Sequence, residues 1–297
     1  MKIGFVILHY NAIQETIDCV KSIEEKLDTR DFHIVIVDNA SPNGTGKKLE
    51  EMYSSVAHVK VICNEANLGF AGGNNIGYKY AKEILSCEFV CVMNNDTLII
   101  QDDFYSTIQK EYEDSKFGVL GPRIVLKNGK DNGLYVKLPS LEFMREELKL
   151  NKRNIFLMKW HLDHFVTAFK MARNYVYKIL HKPKVSRYGQ YFSAQGTDER
   201  HSDIILHGCC LVFSPAYEEY YEDAFNSDTF LYREEDILYL RCKKVGLPMI
   251  YSPKLLIKHL EDASTETVVK KSREKIVFQM KHQVNSLGVL INEMENM

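Results

Sequence analysis

The feature that most restricts what this chain can fold into is its first 125 residues, where apolar runs alternate with polar, helix-like stretches. Ile3 to Leu8 is unbroken and apolar, and His33 to Val37, His58 to Cys63 and Glu88 to Met93 follow it as further strand-like runs. A short continuous apolar run suits a strand covered on both faces. Ile13 to Leu27, Lys47 to Tyr53, Phe70 to Leu85 and Asp102 to Tyr112 carry helical spacing between and after those runs. Strands separated by helices of this length form βαβ units, so the expected class is α/β, with a mainly parallel central sheet flanked by helices.

The pattern breaks after Val125. Lys127 to Gly133 is a loop by composition, Leu141 to Leu180 reads as helix, and Tyr188 to Ser202 reads as loop. Regular structure resumes over Ile204 to Ser214, and Glu234 to Val245 is helical with Gly246 as its stop. Met249 to Tyr251 and Leu255 to Lys258 are expected as two short strands, and Glu266 to Asn296 as a helical tail. The expected division is a ligand-binding half at 1–125, a basic aromatic helical insertion at 126–203, a second half of the same domain at 204–262, and a tail at 263–297.

Whole-chain charge points to no polyanionic partner, because the net charge is −2 over 297 residues. The charge is uneven, however. Residues 141–190 hold eleven Lys/Arg against four Asp/Glu. Trp160, Phe156, Phe165, Phe169, Tyr175 and Tyr177 lie among these cations. Such a segment can rest on an anionic membrane surface, or it can be a helical cover whose aromatics are core. No nucleic-acid recognition module accompanies it. The seven cysteines include no C-x-x-C pair and sit mostly in apolar runs, which suits a reducing cytosol. There is no signal-peptide pattern and no run of about 18 apolar residues, so a cytoplasmic protein is expected, free or held on the inner face of the membrane.

In an open α/β sheet, ligands sit beyond the carboxyl ends of the strands. The residues there are His9-Tyr10-Asn11, Asp38 to Ser41, Asn64 to Asn75, and Asn94-Asn95-Asp96-Thr97. Asp96 emerges directly from a buried strand, where a carboxylate can bind Mg²⁺ or Mn²⁺ together with a substrate phosphate. The same segment can also be an Asx-turn or a cap ahead of the next helix. Asn67 to Gly77 brings glycines to a helix start, where backbone can approach an anion, or where the helix simply packs tightly. It lacks both the dinucleotide fingerprint and the P-loop Gly-Lys-Ser/Thr ending.

Val37-Asp38-Asn39-Ala40-Ser41, the Asn67–Gly77 stretch and the Asn94-Asn95-Asp96 strand end together resemble family 2 inverting glycosyltransferases of the A-type fold. They are similar to the branch that holds bacterial rhamnosyltransferases and other cell-surface glycan transferases. The resemblance covers about 1–125 and 204–262. It implies a UDP- or dTDP-sugar donor, a glycan or glycolipid acceptor and a divalent cation. It implies that Asp38 contacts the nucleobase and that Leu8 and Tyr10 line the base pocket. Asn67, Gly69, Phe70, Gly73 and Asn75 would belong to the donor site. Asn94 and Asn95 would neighbour the diphosphate or sugar, and Asp96 matches the last residue of the D-x-D-type metal motif.

Further on, Ile205 to Val212 resembles the family's Gly-containing strand beneath the acceptor, and Phe230 to Leu238 its acidic segment at a helix start. Inverting transfer needs a carboxylate to take the acceptor's proton. Matching Phe230-Leu231-Tyr232 and Arg241 puts Glu235 in that role, with Asp236 in reserve. Three acids at a helix start are also favoured by the helix dipole, and that suffices for Glu234. His259 matches a histidine after the last strand that ligates the metal or touches the diphosphate, and His207 is a weaker candidate. The remaining classes are a nucleotidyltransferase acting on sugar phosphates and an inert binding subunit. Tyr10 to Ile13 lacks the Gly-rich Arg/Lys loop expected of the former, and the intact Glu235/Asp236 pair argues against the latter. Oligomeric state, including a homodimer, stays open.

Overall fold

The computed structural model describes residues 2–135, 137–160, 191–193, 196–260 and 273–297. The expected first half forms β1 (Ile3–His9), α1 (Ile13–Lys26), β2 (Phe32–Asp38), α2 (Thr45–Tyr53), β3 (Val59–Cys63), α3 (Gly69–Lys79) and β4 (Phe89–Asn94). Helix α3 runs straight into a π-helical turn, Tyr80–Ile84. Next come β5 (Thr97–Ile99), α4 (Phe104–Ser115), β6 (Val119–Leu126), β7 (Leu134–Tyr135), α5 (Leu141–Lys159), β8 (Phe192–Ser193) and β9 (His201–Ser202). The chain ends with β10 (Cys210–Phe213), α6 (Pro215–Glu218), α7 (Glu234–Lys244), β11 (Met249–His259) and α8 (Arg273–Glu295).

The main sheet has the order β3-β2-β1-β4-β10-β6-β11-β5, with β9 also paired to β11. Strands β1 to β4 are parallel neighbours, as are β6 and β11. Strand β10 runs antiparallel to both β4 and β6, and the short edge strands β5 and β9 run antiparallel to β11. The α/β class with a mainly parallel sheet is therefore what the chain adopts.

Alternation along the strands sends side chains to opposite faces. Ile3, Phe5 and Ile7 join one core with Cys19, Val20, Leu49 and Phe104, under α1, α2 and α4. Val6, Val35, Val37, Val90 and Val92 join the opposite core with Ala71, Tyr78 and Leu238, under α3 and α7. A third, smaller core joins Met144 of α5 to Ile237 and Leu240 of α7 and to Leu287, Leu290 and Ile291 of α8. Six of the seven thiols are buried and Cys63 is exposed.

Local differences from the sequence reading have physical causes. Strand β11 is one strand of eleven residues, not two. Ser252-Pro253-Lys254 reads as a turn, but the pairing with β6 shifts register between Ser252 and Leu256, and a bulge is where a strand tolerates proline. His207, Gly208 and Cys209 precede β10 rather than lying in it, so Gly208 sits in a turn. Within the stretch read as loop, β8 and β9 form short pairs with β7 and β11. Helix α5 starts where Ser140 accepts a bond from the Phe143 N–H (3.3 Å), a regular N-cap. The helical reading beyond Trp160, with Phe165, Phe169, Tyr175 and Tyr177, lies outside the described residues, as do 266–272. Among the described residues no helix is long and apolar enough to cross a membrane.

Candidate active site

Sheet register gathers the polar strand ends. His9 lies opposite Asp38, and Leu8 lies opposite Asn94. His9 is fully buried and shares hydrogen bonds with Thr16 Oγ1 (2.7 Å) and Thr45 Oγ1 (2.8 Å). Its burial holds the imidazole below its usual pKa, against the pull of nearby Asp38. Both Asp38 oxygens accept from the Ser41 N–H (3.3 Å), the Ser41 hydroxyl also donates to it, and a Cβ at Gly46 would overlap the carboxylate. Asp38 is thus seated at the start of α2, where the helix N-terminus favours an anion. Tyr10 stays 46% exposed beside it. The Asn11 N–H donates to Ser41 Oγ (2.9 Å), tying the β1 and β2 ends together.

The Asn67–Gly77 stretch is a packing device as well as a helix start. Gly69 has φ +75°, and a Cβ there would overlap the carbonyl oxygen of Phe230, which also accepts the Phe70 N–H (2.7 Å). A Cβ at Gly73 would stand 2.5 Å from Leu8 Cδ1. The Asn75 amide is spent on Phe225, donating to its carbonyl (2.9 Å) and accepting its N–H (2.9 Å). Gly73 and Asn75 therefore have structural work of their own in this loop. The hub of this loop is Asn39, which sequence reading passed over. Its amide donates to Asn67 Oδ1 (3.0 Å) and Gly69 O (2.9 Å), and its oxygen accepts from the Leu68 N–H (2.9 Å). Its position directly after the strand-end Asp38 was the available signal.

At the β4 end the three consecutive residues diverge. Asn94 spends its backbone on Cys209 and Thr97. Asn95 turns its amide to Ala12 O (3.2 Å) and Thr16 Oγ1 (3.1 Å) at the start of α1, and so braces that helix. Asp96 points elsewhere. Thr97 pairs with His259 across β5 and β11, and the Leu260 N–H donates to the Asp96 carbonyl (3.0 Å). That pairing brings His259 Nε2 to 3.3 Å from Asp96 Oδ1. His259 Nδ1 is buried without a partner. The His207 ring sits edge-on to His259 at 5.8 Å. Burial first, and then His259, push His207 down to about 4, with Asp96 opposing.

Helix α7 opens on a left-handed turn, Tyr232 at φ 77° and Arg233 at φ 68°. Within the helix its three acids then diverge at about 100° per residue. Asp236 pairs with Arg233 (2.9 Å), whose other end reaches Glu147 of α5 (3.2 Å). Glu235 lies against Gly208, where a Cβ would overlap its carboxylate. Burial, reinforced by Asp236, raises the Glu235 pKa against the Gly208 N–H and Arg233. Glu234 is buried, with Oε1 unpartnered, and burial followed by Glu235 pushes it up to about 8. All three line a cavity of about 710 Å³, closed by Asn151 of α5, Gln283 and Leu287 of α8, Tyr191 and His207. That volume suits a small-molecule ligand. The α5 and α8 contributors were not foreseen, because they lie outside the recognised motifs.

One carboxylate and one imidazole form an incomplete cation site, and among the described residues no group of three or more His, Cys, Asp or Glu gathers to hold a metal. They nonetheless fit Mg²⁺ or Mn²⁺, which keep waters and take substrate phosphates as further ligands. His259 turns Nε2 to Asp96 and keeps Nδ1 buried without a partner, so the imidazole has a nitrogen left for a further group.

A mixed sheet of this order with these strand ends is the A-type glycosyltransferase fold. The chain belongs to glycosyl transferase family 2, which matches residues 5–180 of the 297. The low-salt glycan biosynthesis hexosyltransferase Agl10 of Haloferax volcanii is 28% identical over 95 residues, 32% of this chain and 29% of that protein. The glycosyltransferase GlyG of Streptococcus pneumoniae serotype 4 is 21% identical over 183 residues, 60% of this chain and 59% of its own length. The chain thus spans less than two thirds of these curated relatives. The mannosyltransferase PcManGT of Pyrobaculum calidifontis, solved with GDP-Man and Mn²⁺, shares the fold at TM-score 0.57 and 14% identity, over 98% of this chain and 64% of that one.

Proposed function

We propose that this chain is an inverting glycosyltransferase that moves a hexosyl or rhamnosyl unit from a UDP- or dTDP-sugar to a hydroxyl of a cell-surface glycan. The observation that carries the reading is the cavity floor. Glu235 faces Gly208 there, and the adjoining His207 leads to the Asp96–His259 pair. That arrangement supports a reading in which Glu235 is the base and the diphosphate leaves toward Asp96 and His259.

In this reading the nucleotide lies across the ends of β1 and β2, with Asp38, Leu8 and Tyr10 about the base. Asn94, at the β4 end, neighbours the sugar. Asp96 and His259 would hold the cation, which when bound offsets charge on the diphosphate. The acceptor hydroxyl enters from the cavity. Glu235 takes its proton as the oxygen attacks the anomeric carbon, the bond to the diphosphate breaks, and the configuration inverts. Glu235 suits that task better than Asp236, which Arg233 already holds.

A thermal-shift comparison of UDP, dTDP and GDP, each with and without Mn²⁺, tests the donor site. A ligand that binds only the native state stabilises it by about 2.7 kcal/mol at a hundredfold excess over Kd. UDP or dTDP with Mn²⁺ is expected to raise Tm by several degrees. No shift with any of the three would end the proposal.

A further inference from the structure

Helix α5 has two faces with different duties. Met144 and Leu148 pack against α7 and α8, while Glu147 and Asn151 line the cavity. Lys149, Lys152, Arg153, Phe156, Lys159 and Trp160 are all exposed. At ~100° per residue these six fall within an arc of about 120°, roughly opposite Glu147 and Asn151. Phe156 is 56% and Trp160 67% exposed, and the two rings lie 6.2 Å apart. No acidic residue occurs from Leu148 to Trp160. Among the described residues no ion pair engages Lys149, Lys152, Arg153 or Lys159. A helix C-terminus favours cations in its last turn, which accounts for Lys159. It accounts neither for the cations two and three turns earlier nor for two large aromatics left in water.

We propose that the outer face of α5, from Lys149 to Trp160, docks on an anionic phospholipid surface and presents the cavity on its other face to a membrane-borne acceptor. The cations match anionic headgroups. Trp and Phe between them fit the interface, where an aromatic ring can enter the acyl boundary. That the delivered molecule is a glycan acceptor rests on the glycosyltransferase reading; the docking itself does not.

Trp160 is the sole tryptophan of the chain, so selectively excited tryptophan fluorescence reports on this face alone. Vesicles of mixed phosphatidylglycerol and phosphatidylcholine are expected to shift its emission to the blue, and brominated acyl chains to quench it. Pure phosphatidylcholine vesicles should do neither, and about 0.5 M salt should reverse the effect by screening. At roughly fivefold per charge, neutralising three cations lowers vesicle partitioning about a hundredfold. The K149E/K152E/R153E protein should fall at least that far, while keeping the wild-type circular dichroism spectrum and its thermal shift with nucleoside diphosphate. That retained shift separates failure of docking from failure of the donor site. The proposal is overturned by unchanged emission with anionic vesicles or by an equal response to phosphatidylcholine. It is equally overturned by a blue shift that a single-stranded oligonucleotide, or higher protein concentration alone, produces without lipid.

Discussion

Three consecutive acids open α7, and each meets a different environment. Asp236 is neutralised by Arg233, Glu235 is set against Gly208, and Glu234 is buried with one oxygen unpaired. Glu234 gives a pH prediction with a definite sign. Its carboxyl rises from 4.5 to about 8 on folding, so the folded state binds the proton more tightly than the unfolded chain. That stability is complete below the unfolded pKa and is lost as pH rises through about 8. Glu234→Gln stays neutral, so the variant should gain on the wild type across this window and exceed it above the window by roughly 2–5 kcal/mol. Urea unfolding of both proteins at several pH values checks this, and a difference that does not change with pH would contradict it. At this scale the strand-end place of Asp96 and the helix-start place of Glu235 were legible in the local pattern, while the roles proposed for them and for His259 rested on the resemblance. The bridge from Asp236 through Arg233 to Glu147 was not legible, since it exists only once α5 packs beside α7. The place of Asn39 after Asp38 was visible, but its bonds were not, because they exist only once the loop to Gly69 has closed.

Among the elements, α3 shows how one residue type can serve opposite ends. A Cβ at Gly77 would overlap Val6 Cγ1 and stand 2.9 Å from Val37 Cγ2, so α3 lies directly on β1 and β2. Gly288 in α8 has nothing within 4 Å of the same position. Glycine costs a helix roughly 0.5–1 kcal/mol relative to alanine, and overpacking costs about 1–3 kcal/mol. Gly288→Ala should therefore raise stability and Gly77→Ala lower it, as read from denaturation midpoints; the same sign for both would refute the packing assignment. The helices and the first four strands could be read from periodicity. The antiparallel insertion of β10 could not, since an apolar run of four residues carries no direction. Nor could β11 as a single strand, because Pro253 imitates a turn until its bulge is seen.

Across the whole molecule, the halves meet where Phe70 donates to Phe230 and where Cys209 accepts from Asn94. These two bonds tie the loop that opens α3 to the loop before α7, and the end of β4 to the turn before β10. Helices α5 and α8 then roof the cavity through their own small core. Each fully buried apolar side chain of that core contributes about 1.5–3 kcal/mol, enough to make the roof part of the fold. In the proposed mechanism Asp96 and Glu235 work on one donor. Nucleoside diphosphate release from UDP- and dTDP-sugars in Mn²⁺, with water as the default acceptor, reads this out. Wild type, Asp96→Ala and Glu235→Gln are compared at equal folded concentration. Slow release by the wild type and a loss of at least about 100-fold in each variant are expected. Wild-type rates in either variant, or no release by the wild type from any of these donors, would contradict the mechanism.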